Sequence, residues 1–429
     1  MEGLLGAYIS VPFCKAKCSY CNFASGVLGA GTAGADRIDR YVEQVCAEIG
    51  SARARAAAMR AELPERLDTV YFGGGTPSLL SAEQMPRVFA ALRGEFEVTP
   101  DAEITLECAP GQLGDETLDE LLRLGMNRVS FGVQSFVDAE ARAVGRMHTR
   151  AICLAEIERM RAAGVQEINV DLIVGLTRQT AVSWCESVEV ALGSGVPHVS
   201  VYMLEVDEDS RLGRELLKAG NREQRTGNRE QGAGNRLKFG ASDVPGDDAI
   251  AEWYAAACEG LEAGGVMQYE ISNFARKSHA SRHNVKYWRR EPYVGFGLDA
   301  HSMLRACPHG PKAGEGAVRW ANTDELSRYE GLRFEVQGSR FEGPEVEWIG
   351  MEKGFEEAMF LGLRMNVGVD LEELRAEFGE GLTRGAVAAL TDVEQAGLVE
   401  REGSRVRLTA RGRMVSNEVF SRLLVEAVV

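Results

Sequence analysis

The sequence predicts an α/β fold: a partial (β/α)6 barrel followed by a small C-terminal α+β domain that is winged-helix-like. Two observations predict it. Strand-like apolar runs alternate with helical patterns six times between residues 8 and 204, which indicates parallel strands with helical crossovers. Beyond residue 350, two helical patterns precede a hairpin and a final helix. Six units predict an open barrel, because closed barrels of this type have more.

The predicted strands are short apolar runs, and the helices are segments whose apolar residues recur every three or four positions. The strands cover residues 7–11, 67–72, 103–107, 128–133, 167–174 and 198–204. The helices cover residues 36–60, 81–93, 115–124, 150–163, 181–193 and 247–264, and residues 24–35 form a loop. The residues after the carboxyl ends of the strands are expected at one face, where such folds carry their chemistry.

The chain is predicted to have three parts. Residues 1–275 form the barrel, and residues 210–246 within it form a disordered insertion, because a polar Gly-Asn-Arg unit repeats there without apolar positions. Residues 276–349 are a connecting region with basic and aromatic side chains. Residues 350–429 form the C-terminal domain. Its helices cover residues 371–378, 383–396 and 411–426, and its hairpin strands cover residues 398–401 and 405–408.

The composition is that of a soluble globular protein, with 429 residues, 45% of them hydrophobic, and a formal net charge of −16. So acidic a chain is not expected to bind nucleic acid, which attracts cationic surfaces. No apolar run reaches the roughly 20 residues of a membrane span, and no basic residue precedes Lys15, so no signal peptide is expected. Most of the nine cysteines are dispersed in apolar segments, which fits free thiols in a reducing, cytoplasmic compartment.

Three cysteines, Cys14, Cys18 and Cys21, lie directly after the first predicted strand. Closely spaced thiolates suit a soft metal centre, and iron–sulfur clusters are held in this way. Three ligands for a cluster of four irons leave one iron open, as a catalytic metal requires. The alternatives are a structural zinc site, for which no second ligand pair follows, and three unrelated thiols.

Two further sites follow the next strands. Residues 73–77 read Gly-Gly-Gly-Thr-Pro, and glycines without a Cβ let a ligand approach the backbone. Glu107 ends the third strand, where a carboxylate can bind an ammonium group or ribose hydroxyls. A plain turn and a solvated charge at the rim are the alternatives for these two sites.

The spacing C-x3-C-x2-C resembles the signature of radical S-adenosylmethionine (SAM) enzymes. The resemblance implies a [4Fe-4S] cluster on Cys14, Cys18 and Cys21, with its open iron chelated by SAM. In those enzymes an electron from the cluster cleaves SAM to methionine and a 5′-deoxyadenosyl radical. The run at residues 73–77 resembles their glycine motif, which approaches the methionine part of SAM.

The resemblance extends over nearly the whole chain. It rests on residues 8–14, 73–77, 130–135, 145–148, 171–176, 269–274 and 283–288. These stretches resemble the oxygen-independent coproporphyrinogen III oxidases and their relatives, the HemW-type haem chaperones. The resemblance implies SAM contacts from Tyr8, Tyr20, Gly74, Gly75, Thr76, Glu107, Gln134, Arg146 and Asp171. Gln134 can pair with an adenine or carboxylate edge, Arg146 with a carboxylate, and Asp171 with ribose hydroxyls; core polar pairs or rim charges are the alternatives.

Several features resemble the chaperone branch more than the oxidase branch. Phe23 stands where the oxidases have a fourth cysteine, and the extension before the first strand is short. His283, Tyr287 and Trp288 match an H-N-x-x-Y-W motif of the chaperones. Imidazole is a usual ligand of haem iron and aromatic rings stack on porphyrins, so these three residues are predicted to bind haem. Lys286, Arg289 and Arg290 are candidate partners for the propionates. A structural aromatic cluster is the alternative.

The resemblance implies a haem chaperone that carries a [4Fe-4S] cluster with SAM, binds haem and transfers it to respiratory haemoproteins of the membrane. The alternatives are a coproporphyrinogen III oxidase, which decarboxylates two propionates oxidatively, and a cluster protein that modifies another substrate. Whether the chain is an enzyme stays open, and no catalytic residue is assigned. Haem and its protein acceptors are the expected partners. A homodimer and a peripheral position at the membrane during delivery are left open.

Overall fold

The computed structural model describes residues 3–29, 32–226, 239–307, 315–334 and 345–423. Six parallel strands form the partial barrel: β1 (Leu4–Val11), β2 (Arg66–Gly74), β3 (Glu97–Cys108), β4 (Arg128–Gln134), β5 (Glu167–Val174) and β6 (His198–Met203). Each strand pairs with the next one along the chain, so their carboxyl ends meet at one face. The predicted open barrel is confirmed.

Helices pack against one side of these strands. They are α1 (Thr32–Gly50), α2 (Ala52–Ala58), α3 (Gln84–Glu95), α4 (Asp115–Leu124), α5 (Asp138–Ala143), α6 (Arg150–Ala162) and α7 (Ala181–Gly193). Val45, Phe89 and Trp184 belong to the continuous core between helices and strands. The sequence predicts one helix over residues 36–60, whereas the structure interrupts it at Ser51. Helix α5 is not predicted, because so short a segment shows no helical period.

The segment predicted as a disordered insertion, residues 210–246, begins with a helix, α8 (Arg211–Thr226). The prediction is wrong for this part, because a tertiary contact that periodicity does not reveal stabilises the helix. Leu212 is fully buried, and its amide donates to the carbonyl of Ser19 at 2.9 Å. A short 3-10 helix, Ala241–Asp243, follows near the end of the segment. Residues 227–238, which include part of the Gly-Asn-Arg repeat, lie outside the described residues.

The sheet continues at both edges of the barrel. After helix α9 (Asp247–Ala263), β7 (Met267–Glu270) and β8 (Asn273–Ala275) extend it beyond β6. At the other edge, β9 (Tyr293–Phe296) runs parallel to β1 and is followed by antiparallel β10 (His301–Ala306), β11 (Glu315–Ala321) and β12 (Val346–Gly350). A short helix, α11 (Leu326–Glu330), lies between β11 and β12 along the chain. Residues 276–349, predicted as a connecting region, therefore supply four strands of the main sheet.

Helix α10 (Arg282–Trp288) packs inside the barrel near the first halves of β1 and β2. The carboxylate of Glu103, on β3, accepts from the amide of His283 at 2.9 Å. Lys286 is buried, and its ammonium group lies 2.8 Å from the carboxylate of Asp68. Lys286 is therefore engaged inside the protein and does not serve as the predicted partner of a propionate.

The C-terminal domain has a hydrophobic core of its own, which includes Phe355, Leu390 and Val406. Its elements are α12 (Met351–Arg364), β13 (Val369–Asp370), α13 (Leu371–Phe378), α14 (Glu380–Gln395), β14 (Val399–Glu402) and β15 (Arg405–Leu408). β13 joins the hairpin as a third strand, so the predicted helix–helix–hairpin order is confirmed. The final predicted helix is divided at Val415 into two short ones, Ala410–Met414 and Ser416–Ser421. None of the helices in the described ranges is long and apolar enough to cross a membrane.

A buried carboxylate joins α1 to the extended edge of the sheet. Glu48 is fully buried, and its Oε1 lies 2.5 Å from Arg55 and accepts from the Asn322 amide group at 2.8 Å. Its Oε2 accepts from the amide of Gly297 at 2.8 Å and from the hydroxyl of Tyr329 at 2.7 Å. Four donors around one carboxylate offset the cost of removing it from water, and they tie together segments far apart in sequence.

Replacing Glu48 by alanine is expected to lower the free energy of unfolding by about 3–5 kcal/mol, because a buried charged network loses the acceptor that its donors share. Urea denaturation measures the change. Glu43 lies on the exposed side of the same helix, and Glu43→Ala should change this free energy by less than about 0.5 kcal/mol. Equal stability of the two variants would contradict a stabilising role for the network.

Candidate functional site

The three clustered cysteines lie on the loop that leaves β1. Cys14 and Cys21 are partly exposed, Cys18 is buried, and all three thiols are free. The loop is anchored across the barrel, because the amide of Ser19 donates to the carbonyl of Val144 at 3.1 Å. In the described part of the chain, no three His, Cys, Asp or Glu side chains are grouped so that they could hold a single metal ion. The donors that the loop offers are thiols, the ligands of iron–sulfur clusters.

The glycine run at the end of β2 packs on the backbone that leads to the first cysteine. The amide of Gly75 donates to the carbonyl of Val11 at 2.9 Å, and the amide of Thr76 donates to that of Phe13 at 2.8 Å. A Cβ on Gly75 would lie 2.7 Å from the Val11 carbonyl oxygen, so a larger residue would push the two segments apart. Gly74 has a φ of +100°, which favours glycine. The predicted glycine motif and the cysteine loop thus form one unit.

Glu107 lies at the carboxyl end of β3 and accepts two hydrogen bonds. The hydroxyl of Tyr71 donates to its Oε1 at 2.9 Å, and the amide of Gly74 donates to its Oε2 at 3.2 Å. Burial and the nearby carboxylate of Asp171 raise the pKa of Glu107 to about 7, although both hydrogen bonds lower it. A cationic group bound beside this carboxylate would favour its charged form.

Asp171, on β5, is the second acid of the barrel interior. Its Oδ1 accepts from the Asn169 amide group at 2.7 Å, and its Oδ2 accepts from the hydroxyl of Ser130 at 3.0 Å. Burial raises the pKa of Asp171, while these donors and the hydroxyl of Ser200 lower it. The acid is therefore held in place by side chains from its own and neighbouring strands.

Arg146 and Gln134 bring further polar groups to this face. One guanidinium nitrogen of Arg146 donates to Cys18 Sγ at 3.4 Å, and another donates to the carbonyl of Gly132. Gln134 ends β4 with a φ of +68°. Its side-chain oxygen is buried and has no hydrogen-bond partner among the residues that the structure describes. A buried acceptor without a donor costs free energy, so this oxygen suits a ligand that carries an N–H group.

The other residues predicted to contact SAM lie at different positions. Tyr8 stacks on Tyr71 with ring centroids 6.0 Å apart, and it lines a cavity of about 340 Å³ at the barrel mouth. Tyr20 packs against the apolar cluster around Val144, and burial raises the pKa of its phenol. Thr76 is buried and contacts the cysteine-bearing segment through its backbone. The barrel-mouth cavity is also lined by Ser10, Phe23, Gly74, Tyr287 and His301.

Sequence reasoning missed two tyrosines of the barrel interior. Tyr71 donates to Glu107. Tyr202 lies at the end of β6 with its side chain 41% exposed, and desolvation of its phenol and the charge of Asp171 raise the pKa of that phenol. Tyr202 also stands two residues after Ser200 and therefore on the same face of the strand. Neither tyrosine lies on the same strand as Glu107 or Asp171, so alternation along the strands of these acids could not have found them.

The structure places His283, the predicted ligand of haem iron, in the interior of the protein. His283 is 1% exposed, its Nδ1 shares a hydrogen bond of 2.8 Å with the hydroxyl of Thr69, and its Nε2 shares one of 2.8 Å with the hydroxyl of Tyr287. Burial, with a smaller effect of Lys286, lowers the pKa of His283 to about 3. Both ring nitrogens are occupied inside the protein. The residue belongs to a structural aromatic cluster with Tyr71, the alternative that the sequence left open.

Tyr287 and Trp288 face different cavities. Tyr287 lines the barrel-mouth cavity and packs edge-on against Tyr293 with centroids 4.6 Å apart. Trp288 lines a larger cavity beside the C-terminal domain, with the guanidinium of Arg364 4.5 Å above its ring. Of the three residues predicted for haem, the structure brings His283 and Tyr287 into contact, whereas Trp288 faces a different cavity. The structure does bring together the cysteines, the glycine run and the polar groups predicted for SAM.

Comparison with known proteins identifies the class to which this fold and site belong. Residues 8–191 match the Radical SAM superfamily, and residues 354–415 match the HemN C-terminal domain. The solved structure of coproporphyrinogen III oxidase (HemN) from Escherichia coli, described as a radical SAM enzyme, has a TM-score of 0.76 and 21% sequence identity, over 99% of this chain and 91% of that one. The two proteins share a fold. This chain is a radical SAM protein.

Curated relatives identify the family within that class. Heme chaperone HemW of Bacillus subtilis is 31% identical over 98% of this chain and 99% of its own length. Its namesake in Lactococcus lactis is 30% identical over 98% and 97%. Radical S-adenosyl methionine domain-containing protein 1, mitochondrial, of Danio rerio is 31% identical over 84% and 73%. The chain belongs to the HemW-type radical SAM family.

The raised pKa of Glu107 predicts a pH dependence of stability. A carboxyl group that holds its proton more tightly in the folded state contributes stability at low pH, and this contribution is lost as the pH rises from about 4.5 to about 7. Urea denaturation over this range should show the wild-type protein losing stability relative to Glu107→Gln, which has no proton to release there.

The control is Glu116→Gln, on the exposed side of α4. This variant should follow the wild-type protein at every pH, because the side chain of Glu116 is exposed to water in the folded state as it is in the unfolded state. If the stabilities of wild type and Glu107→Gln differed by the same amount at every pH, the raised pKa would be refuted.

Proposed function

We propose that this protein is a haem chaperone, which binds haem, carries a [4Fe-4S] cluster with SAM, and transfers haem to respiratory haemoproteins. The observation that carries the proposal is the 31% identity to Heme chaperone HemW of Bacillus subtilis, over 98% of this chain. That similarity spans both the barrel and the C-terminal domain, so it is not limited to the segment with the three cysteines.

For the cluster we propose the thiolates of Cys14, Cys18 and Cys21 as ligands. The guanidinium of Arg146, 3.4 Å from the sulfur of Cys18, supports this assignment, because a cation at this position attracts the negative charge of a cluster held by thiolates. Three thiolates leave one iron for SAM. When bound there, SAM supplies the chemistry of a sulfonium that the cluster can reduce.

For SAM we propose the polar face around the glycine run. Glu107 would accept from the ammonium group, the unsatisfied oxygen of Gln134 from the adenine amino group, and Asp171 from ribose hydroxyls. Arg146 would pair with the carboxylate of SAM. Tyr8, Tyr20, Gly74, Gly75 and Thr76 would complete the site by shape and backbone contact.

Decarboxylation of a porphyrinogen is not part of the proposal. Phe23 occupies the position at which the resemblance expects a fourth cysteine in the oxidases, and its side chain is 63% exposed at the barrel mouth. A phenyl ring offers apolar contact and no ligand. The chaperone proposal includes three further points, which rest on the resemblance to the haem chaperones. They are a cytoplasmic location, peripheral contact with the membrane during delivery, and respiratory haemoproteins as acceptors.

The cluster assignment predicts a specific loss of iron. After anaerobic reconstitution the wild-type protein should carry about four irons per chain, whereas Cys14→Ser, Cys18→Ser and Cys21→Ser should each lose the brown chromophore, because a hydroxyl is a poor ligand for a soft metal centre. Iron analysis and absorption spectroscopy measure the loss. Cys185→Ser, at an exposed cysteine away from the loop, is the control. A complete cluster in Cys14→Ser would show that the assignment is wrong.

The proposed chaperone function predicts that the protein binds haem and does not convert a porphyrinogen. Titration of the reconstituted protein with haem should give a saturable shift of the Soret band. Anaerobic incubation with coproporphyrinogen III, SAM and a reductant should leave the porphyrinogen unchanged, as chromatography of the oxidised products would show. Efficient conversion would establish the oxidase instead, and absence of haem binding would remove the chaperone proposal.

A further inference from the structure

A row of polar side chains crosses the barrel next to Asp171. Ser130 on β4, Asn169 on β5 and His198 on β6 are paired with one another across the sheet. Residues two apart on a strand share a face, so Asn169 lies on the same face as Asp171 but further from the carboxyl end of β5. Asn169 and His198 are buried, whereas Asp171 keeps part of its surface accessible. The row therefore supports the acid from the side away from the barrel mouth.

The side-chain amide of Asn169 has one orientation that satisfies this row. Its nitrogen lies 2.7 Å from Asp171 Oδ1 and 2.7 Å from Ser130 Oγ. The hydroxyl of Ser130 donates to Asp171 Oδ2 at 3.0 Å, so the oxygen of Ser130 is left to accept from the amide. A carboxylate also accepts, and the N–H groups of Asn169 therefore face Asp171. The side-chain oxygen of Asn169 consequently faces His198.

His198 holds the amide in that orientation. Its Nδ1 lies 2.6 Å from the side-chain oxygen of Asn169, which can only accept, so Nδ1 carries the ring proton and donates it. The hydroxyl of Ser200 donates to the same oxygen at the longer distance of 3.3 Å. Burial, with a smaller effect of the charge of Arg128, lowers the pKa of His198 well below its usual range, so the ring is neutral.

The imidazole of His198 is itself fixed at its other nitrogen. Nε2 carries no proton in this tautomer and accepts from the hydroxyl of Tyr269 at 2.9 Å. The oxygen of that hydroxyl accepts from the amide of Ser281, the residue that precedes α10, at 3.3 Å. The ring of Tyr269 also packs edge-on against the imidazole, with centroids 5.6 Å apart. The ring of His198 is therefore a fixed point from which a donor is directed at Asn169.

We infer that His198 is a positioning residue for SAM: its Nδ1–H holds the amide of Asn169, and that amide holds the carboxylate of Asp171 in place for the ribose hydroxyls. This inference rests on the proposed function, in which Asp171 binds those hydroxyls. Without the donor from His198, the amide of Asn169 can turn over and direct its oxygen at Asp171. Two acceptors would then face each other, and the carboxylate would leave its position. His198 acts on SAM only through these two side chains.

Two matched substitutions test the inference by equilibrium dialysis of SAM against the reconstituted full-length protein. In His198→Asn the new amide nitrogen is attached to Cγ, as Nδ1 is, so it can still donate to Asn169. In His198→Gln the amide lies one atom further along the side chain, as Nε2 does, and faces Tyr269 instead. The first variant should keep the SAM affinity within about twofold of wild type, whereas the second should weaken it by about tenfold. Because both variants lack the ring, loss of ring packing alone would weaken SAM binding in both alike.

Analogues of SAM that lack the 2′- or the 3′-hydroxyl of the ribose give a second measurement. Wild type and His198→Asn should bind SAM about tenfold more tightly than the weaker-binding analogue, because a hydroxyl that donates to a carboxylate is lost. For His198→Gln and Asn169→Ala this ratio should fall to about twofold. Damage elsewhere in the protein would weaken the binding of SAM and of the analogue by the same factor. His279→Asn, at a histidine outside the row whose Nδ1 faces Glu167, is the control and should match wild type.

The outcomes separate the inference from the function on which it rests. If His198→Gln keeps the wild-type affinity and ratio, or if the two His198 variants lose affinity alike, the inference is overturned and the proposed SAM site stands. If Asp171→Ala binds SAM and both analogues as wild type does, Asp171 does not bind the ribose. That part of the proposed function then fails together with the inference.

Discussion

The contact between the end of β1 and the glycine run that ends β2 is the constraint on which the site depends. The two strands are neighbours and parallel, so their loops start from the same edge. Hydrogen bonds from Gly75 and Thr76 to the segment before Cys14 hold the loops within backbone distance. Gly75 has no side chain, and this permits the approach, because a Cβ there would lie 2.7 Å from the carbonyl oxygen of Val11. The thiols of the cysteine loop therefore lie close to the uncovered backbone of the glycine run. Glu107, from the next strand, lies beside that backbone.

Some polar side chains inside the open barrel have hydrogen-bond partners, and others have none. This difference separates the groups with a structural role from those that can bind a ligand. His283 uses both ring nitrogens, and Asp171 is surrounded by donors. The side-chain oxygen of Gln134 is buried, and the described residues offer it no partner. Because an unmet buried acceptor costs free energy, the oxygen of Gln134 is suited to accept from a ligand.

Much of the fold could be predicted because its signals are local. Helix α4 has the predicted bounds, since apolar spacing fixes its length and Gly125 ends it with a φ of +102°. The placement of the cysteines, the glycine run and Glu107 follows from the rule that parallel strands end at one edge. The role of His283 could not be predicted, because a motif gives residue types and not burial. The first turn of α8 and the cation above Trp288 depend on contacts between segments far apart in sequence.

The first turn of α8 shares its hydrogen bonds with the cysteine loop. The guanidinium of Arg211 donates to the carbonyl of Lys17 at 3.3 Å, and just before the helix the carboxylate of Asp207 accepts from the side chain of Asn22 at 3.1 Å. Order in the helix and order in the loop are therefore thermodynamically linked. Any occupant that rigidifies the loop also rigidifies the helix, and anything that unfolds the helix weakens the loop's hold on its occupant by the same free energy. The segment that the sequence predicts as a disordered insertion is in this way connected to the cysteine loop at the first turn of α8.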